Sequence, residues 1–410
     1  MLSVLEAQER ILAQFSQVNE PDSVPLEQAT GRILSADVKA GIDLPPFDNS
    51  SVDGFALRAA DTGGADAQHP AQLPVIGDIP AGSRPRFNLD AGQAARIMTG
   101  APLPVGADAV VMVEDTDFNN RSAGLPAPQS VRVYRTMQAG ENIRPQGMDL
   151  KNGQPVLLAG ATLRPQELGM LAMLGVAHVP VWRRPRVAVL STGDEIVPVE
   201  AQLTPGKIRD TNGITLAALT AAAGGEVIRL GVAADTRESV RQKLDAAVEA
   251  RADVILSSAG VSVGAFDYVK EVVEGGGLLD FWKVDMRPGK PLAFGAYRGI
   301  PFFGLPGNPV SAFVGFLVFV EPAIARLRGA QSTTRSRIRA QLAHEIESDG
   351  RESYLRALLT FEDGKYIANL TKNQSSGNLF SLVEANALLI IPSGVKSCPP
   401  ETEVDAWLLE

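Results

Sequence analysis

Val187-Ala-Val-Leu-Ser-Thr-Gly-Asp-Glu195 runs from a short apolar stretch into hydroxyls, a glycine and two acids. Two later segments break in the same way: Val254-Ile-Leu-Ser-Ser-Ala-Gly-Val-Ser-Val-Gly264 and Phe302-Phe-Gly-Leu-Pro-Gly-Asn-Pro-Val-Ser311. Each reads as a buried parallel strand ending in a tight loop ahead of a helix. In an open α/β sheet, ligands bind beyond the carboxyl ends of the strands. Backbone N–H groups in such loops and at helix starts favour anions. The three segments together predict one pocket for a phosphorylated or oxyanionic ligand.

The surroundings support the α/β reading. From 184 to 330 the pattern alternates: a strand at 186–190, a helix near 213–223, a strand at 226–231, a helix at 237–250 and a strand at 253–256. A helix near 268–274, strands at 293–295 and 302–305, and a helix from 310 to about 326 complete it. Strands alternating with helices in this way mean a doubly wound parallel sheet. Residues 1–20 read as an amphipathic helix, with Val4, Ala7, Ile11 and Phe15 on one face. A short strand around 32–38 follows. Between 41 and 152 short β-like pieces alternate with Gly/Pro turns, predicting a β-rich module. Residues 153–183 offer the helix 165–174 and a strand at 177–182. Beyond 331 the helices stop, and strands at 337–343, 354–360, 387–391 and 404–409 predict a separate small β domain.

At 410 residues the chain exceeds one core, and roughly two to four domains are expected. The net charge of −9 argues against general nucleic-acid binding. One cysteine, Cys398, and three scattered histidines (His69, His178, His344) exclude a cysteine cluster for zinc and give poor support to a Ser–His–Asp mechanism. The amino terminus lacks the features of a signal peptide. No run of about 18 apolar residues reads as a membrane span. Cytoplasm is the expected compartment. G-x-G-x-x-G and Walker-type motifs are absent.

Single motifs leave their roles open. In Ser191-Thr192-Gly193-Asp194-Glu195 the hydroxyls and amides suit a phosphate and the acids suit Mg²⁺ or an oriented nucleophile. The same residue types also cap helices. The stretch from Ser257 to Gly264 carries Ser257, Ser258 and Ser262 with Gly260 and Gly264, more hydroxyls than a plain turn needs, and Asp267 follows. Pro306-Gly307-Asn308 opens a helix. Asp53, Thr99 and the Arg144–Asp149 turn sit in polar loops that, one at a time, also read as surface turns.

Taken together, the chain resembles the molybdopterin molybdenumtransferase family, the bacterial relatives of the gephyrin E domain. The resemblance rests on Phe47-Asp-Asn-Ser-Ser-Val-Asp-Gly-Phe-Ala56, Ile97-Met-Thr-Gly-Ala-Pro102, Gly140-Glu-Asn-Ile-Arg144 with Asp149, and Ser191 to Glu195. It continues through Ala259 to Gly264, Asp267-Tyr268, Arg287-Pro-Gly-Lys-Pro291 and Leu305 to Ser311. It implies insertion of molybdenum from molybdate into adenylylated molybdopterin, with release of AMP and a need for Mg²⁺. It implies a homodimer of multidomain α/β subunits. The implied divisions are a connecting domain (21–40 and 153–183), a β-rich domain (41–152), an α/β molybdopterin-binding domain (1–20 and 184–330) and a C-terminal β-barrel (331–410). It adds that the N-terminal helix packs with the 184–330 region.

By position, the resemblance puts Ser191, Thr192, Gly193, Asp194, Ser257, Ser258, Gly260, Ser262, Gly264, Pro306, Gly307 and Asn308 in the pterin-phosphate and nucleotide pocket. Glu195 and Asp149 become acids near the reacting centre and the implied metal ligands. Asp235 and Asp267 are further acids, Arg287 and Lys290 supply positive charge, and Ser376 comes from the C-terminal domain. Asp53, Thr99 and Arg144 are implied to come from the β-rich domain of the other subunit. Three positions depart from the family pattern: Ala259 for a second Gly, Arg287 where Lys also occurs, and Gly377 where relatives often have His. Implied partners are the molybdopterin adenylyltransferase and downstream cofactor-handling proteins, with no nucleic acid and no membrane. The resemblance leaves two alternatives: an adenylyltransferase acting on molybdopterin, whose fold matches 184–330 alone, and a non-enzymatic scaffold.

Overall fold

The Arg186–Thr192 strand alternates its side chains between two buried faces. Val187 and Val189 point into one apolar cluster, Ala188 and Leu190 into another. A strand covered on both faces belongs inside a doubly wound sheet. The computed structural model, which describes residues 1–118, 126–258, 268–330 and 335–409, places it so. The sheet has six strands in the order Glu226–Ala233, Arg186–Thr192, Val254–Ser258, Ile300–Leu305, Pro291–Tyr297, Gly277–Lys283. The first four are parallel, and Pro291–Tyr297 pairs antiparallel with both Ile300–Leu305 and Gly277–Lys283. The sheet is therefore mixed, not purely parallel. The expected strand at 293–295 is a seven-residue strand in a hairpin with Ile300–Leu305, and Gly277–Lys283 is a strand the sequence reading passed over.

Both faces are covered by helices. Arg237–Glu249 and Tyr268–Gly276 pack on one, through Val240, Leu244, Val269 and Val273. On the other lie Thr211–Ala222, the helical run Pro309–Leu327 and the N-terminal helix. That last helix spans only Val4–Leu12, started by a Ser3/Glu6 capping box, and not 1–20. Its Val4, Ala7 and Ile11 share a core with Phe303, Leu317 and Ile324, so it does pack with the 184–330 region. The run Pro309–Leu327, with mean hydropathy 1.8, is long and apolar enough to cross a membrane, but 78% of it is buried in this core. Residues 21–25 form a strand antiparallel to His178–Trp182. The expected strand at 32–38 reduces to single bridges at Ile33 and Leu34, with a strand at Val38–Lys39.

Near the carboxyl terminus, Ile338–Leu342, Glu352–Glu362, Lys365–Leu370, Ala387–Ile391 and Glu403–Leu408 close into a five-stranded barrel, because Glu352–Glu362 pairs on both sides. Its interior holds Leu355, Ala357, Leu389, Ile391, Val404 and Ala406. Its outward Tyr354, Leu388, Ile390 and Trp407 join the core of the α/β sheet. One short helix, Phe380–Val383, interrupts the β region where none was expected.

Two compact units result. One comprises Met1–Ala36, Ala159–Gly169 and Val176–Glu410; the other comprises Asp37–Leu158 and Met170–Gly175. The second is built on a five-stranded sheet centred on Gly54–Leu57 and Ala94–Ile97. The protein is a multidomain α/β fold with a C-terminal barrel.

Candidate functional site

Strand register sets the site. Ser191 lies opposite Ser258, and Ser258 opposite Leu305, so three neighbouring parallel strands end at one level. On the outer side Thr192 lies opposite Ala233, which brings Asp235 to the same edge. Beyond this edge opens a cleft of 580 Å³ lined by Ser191, Thr192, Glu195, Asn212, Ser258, Gly307 and Asn308, among others. The cleft stands where an α/β sheet binds ligands. An adjoining cavity of 440 Å³, lined by Gly193, Asp194, Glu200 and Arg229, shares Ile196 and Asp210 as walls.

The hydroxyls are not all free to meet a ligand. Ser191 donates from Oγ to Asp210 Oδ1 at 2.7 Å, and the same carboxylate oxygen caps the Thr211–Ala222 helix through Gly213 N at 2.8 Å. Asn212 Nδ2 donates to Ser258 Oγ at 2.6 Å and to the Gly307 carbonyl at 2.7 Å. Ser257 Oγ is fully buried and has no partner among the described residues. Asn308 Nδ2 donates to Ser376 Oγ at 3.1 Å, and Val310 N to the Ser376 carbonyl at 3.1 Å. Ser376 thus reaches the cleft from the chain's last region. It is held there by the buried Arg356, which donates to the Asn373 and Ser375 carbonyls at 3.3 and 3.2 Å.

Asp210, Asn212 and Arg209 line the cleft, yet none was among the expected site residues. A signal existed. Asp210-Thr-Asn-Gly213 precedes an apolar helical stretch, and Asp at a helix start is a capping residue. The helix begins at Thr211, two residues before the expected start.

Three acids crowd the sheet edge. Asp194 N donates to Asp235 Oδ2 at 3.3 Å, and Asp235 N returns a bond to Asp194 Oδ1 at 3.0 Å. Burial, then the like charges of Asp194 and Glu195, hold the Asp235 carboxyl above its ordinary range against the opposing Asp194 amide bond. Glu195 is exposed. Gly193 precedes the acids at φ +138°, a backbone conformation that L side chains rarely adopt, so the tight turn favours glycine.

A raised carboxyl is ionised at a cost to the fold. The penalty is absent at low pH, where the group is neutral folded and unfolded, and it appears as pH rises through the folded-state value. Asp235→Asn is therefore expected to gain stability over wild type at about pH 7 and to lose that advantage at about pH 3.5. Urea unfolding at the two values checks this, and an unchanged difference contradicts it.

Arg287 ends the short strand Met286–Arg287, which pairs with Glu352–Ser353, and Lys290 follows in the turn before Pro291–Tyr297. Gly289 in that turn lies within 3.7 Å of the Ser311 carbonyl when given a Cβ, so the turn backs onto the Pro306–Ser311 loop. Arg287 is 4.0 Å from Asp349, and Lys290 is exposed. Gly260, Ser262, Gly264 and Asp267 lie outside the described residues.

The second unit gathers the remaining candidates. Asp53 Oδ1 accepts from Thr99 N at 2.8 Å and Thr99 Oγ1 at 2.7 Å. Asn49–Ser50 pairs with Ile143–Arg144, and Arg144 is ion-paired with Asp149. Ser50 also bonds the backbone of Gly100 and Ala101. The four residues thus come from three adjoining loops of one unit, although 46 residues separate Asp53 from Thr99.

Comparison with known proteins agrees with this architecture. Residues 2–175 match the MoeA N-terminal region (domain I and II), 188–326 a probable molybdopterin binding domain and 339–409 the MoeA C-terminal region (domain IV). A molybdopterin molybdenumtransferase of Nostoc is 38% identical over 94% of this chain and 88% of its own length. The chain belongs to the molybdopterin molybdenumtransferase family. Molybdopterin molybdenumtransferase 2 of Mycobacterium tuberculosis is 40% identical over 99% of both chains. The crystal structure of the molybdopterin biosynthesis MoeA protein of Pyrococcus horikoshii OT3 superposes with a TM-score of 0.81 at 33% identity, covering 100% of each chain. As a family member the chain is an enzyme of molybdenum cofactor biosynthesis. Similarity through all three regions disfavours the adenylyltransferase and scaffold readings.

Proposed function

We propose that this enzyme inserts molybdenum from molybdate into adenylylated molybdopterin and releases AMP. The observation that supports this most is the cleft at the level carboxyl ends of three parallel strands. It combines hydroxyls, backbone amides and a cluster of acids, in a chain related over its length to enzymes of that name. The reaction asks the protein to hold a phosphorylated pterin, to hold an oxyanion and to part AMP from a phosphoanhydride. Phosphoryl chemistry depends mainly on positioning and charge stabilisation.

In this reading Ser191, Thr192, Ser258 and the Pro306–Asn308 loop, with Ser376 bonded to Asn308, hold the substrate's phosphates and pterin, and the fully buried Ser257 is not among them. Glu195 is the acid most directly coupled to the reaction, with Asp194 and Asp235 beside it. Arg287 and Lys290 contribute positive charge. In the second unit, Asp53 orients Thr99, and Asp149 holds Arg144 ready for an oxyanion.

Among the described residues no three His, Cys, Asp or Glu side chains form a ready metal cage. The donor set does fit a hydrated Mg²⁺, which takes one or two carboxylates and completes its shell with water and substrate phosphate. Burial first and then the like charges of Asp194 and Glu195 hold Asp235 up, and a cation there relieves the charge repulsion. We assign Glu195 to that ion. The bound ion supplies neutralisation of phosphate oxygens.

The reading extends to a cytoplasmic homodimer supplied by the molybdopterin adenylyltransferase and relieved by downstream cofactor-handling proteins. It keeps the domain divisions 21–40 with 153–183, 41–152, 1–20 with 184–330, and 331–410. Incubation with adenylylated molybdopterin tests the function. AMP release that needs both molybdate and Mg²⁺ is expected, and release indifferent to molybdate overturns it.

A further inference from the structure

We propose that Asn212 is a positioning residue: with Asp210 it clasps the three strand-end loops at fixed spacing, so the cleft is shaped before substrate arrives. Each loop gives one partner to the start of a single helix. Ser191, ending the Arg186–Thr192 strand, donates to Asp210 at 2.7 Å. Ser258, ending Val254–Ser258, accepts from Asn212 Nδ2 at 2.6 Å. Gly307, two residues past Ile300–Leu305, accepts from the same nitrogen at 2.7 Å. Asp210 is itself fixed by Gly213 N at 2.8 Å.

The direction of the amide is decided by chemistry. The Gly307 carbonyl can only accept, so the NH₂ and not the oxygen must face it. Asn212 Oδ1 is buried and accepts from none of the described residues. The side chain therefore keeps its place through its two donated bonds. A buried acceptor left without a donor is costly, which makes this an unfavourable site for asparagine unless those donated bonds matter. The clasp joins segments 46 and 95 residues away from Asn212. It sets the spacing between the Ser258 hydroxyl and the loop that carries Asn308.

Two variants separate donation from space filling. Asn212→Ala removes both, whereas Asn212→Leu keeps the bulk and removes the donors. Alanine and leucine are good helix formers, so neither weakens the helix. In the protein alone, hydrogen exchange is read at Val310 N, which donates to Ser376 O, and at Ala312 N, which donates to Asn308 O. Exchange at both amides is expected to rise about tenfold in both variants, the effect of losing one to two buried hydrogen bonds. The kinetic arm rests on the transferase reading. There KM for adenylylated molybdopterin is expected to rise about tenfold in both variants, with kcat changed less than about threefold.

Wild-type exchange and KM in Asn212→Leu, with loss only in Asn212→Ala, overturn the proposal, because the amide then only fills space. If the wild type releases no AMP, the transferase reading fails and the exchange arm alone decides for or against the clasp. If Asn212→Ala does not fold, Asn212→Leu decides.

Discussion

Glu195→Ala is expected to lower AMP-releasing turnover about 100-fold, the size of a lost acid–base or charge-neutralising group, while leaving unfolding unchanged. The expectation follows from where the side chain stands. Glu195 is exposed and lines the cleft, and its part in the fold is played by its backbone, whose carbonyl accepts from Ile208 N at 2.8 Å. Alanine keeps that bond. Removing the carboxylate also thins the like charge around Asp235, so the fold loses nothing on that account. Steady-state kinetics paired with urea unfolding checks both halves. Turnover within about threefold of wild type removes Glu195 from the reaction, and a large loss of stability shows that it serves the fold.

Gly54→Ala is expected to act through the fold instead: to destabilise the second unit by about 3 kcal/mol, the upper range for overpacking a tight core. Gly54 begins a strand flanked on both sides, opposite Ile97 and Met112. A Cβ at this position stands 1.8 Å from the Val111 carbonyl oxygen, and backbone in the middle of a sheet cannot yield as a flexible side chain can. The residue just before it is Asp53, which holds Thr99 through two hydrogen bonds. Any shift that relieves the clash moves that pair, so activity falls along with stability. Chemical unfolding measures the effect, and a change below about 0.5 kcal/mol, the usual scale of an innocuous surface substitution, contradicts the argument.

The contrast between these residues tracks what sequence can disclose. Elements defined by local chemistry were legible. The strands at 186–190, 253–256 and 302–305 are observed at Arg186–Thr192, Val254–Ser258 and Ile300–Leu305, and the helix at 237–250 at Arg237–Glu249. Apolar runs buried on both faces announce themselves within a few residues. The loops after them were legible as one wall of a cleft, which Ser191, Thr192, Ser258, Gly307 and Asn308 line.

Relations between distant segments were not legible. Asp210 reaches Ser191 across 19 residues, because the Ile196–Val197 and Ile208–Arg209 strands pair and fold the intervening chain back. Ser376 reaches Asn308 across 68 residues, and the family resemblance, not the residue pattern, put it in the site. The strand Gly277–Lys283 was missed because it opens on the last of three consecutive glycines, 275–277, which blur its start. It exists because Pro291–Tyr297 offers it an edge, with each residue from Gly277 to Lys283 in register. The N-terminal helix was drawn too long because Val4, Ala7, Ile11 and Phe15 all face one core, yet only the first three are helical. Burial on a common face shows what packs together and not where a helix ends.

On the proposed reading, one cleft couples molybdenum insertion to AMP release. A single-turnover reaction of the wild-type enzyme with adenylylated molybdopterin, with and without molybdate, tests it most directly when AMP and pterin-bound molybdenum are counted in the same sample. One molybdenum on the pterin is expected for each AMP freed, and little of either without molybdate. AMP released at the same rate without molybdate, or freed with no molybdenum on the pterin, contradicts it.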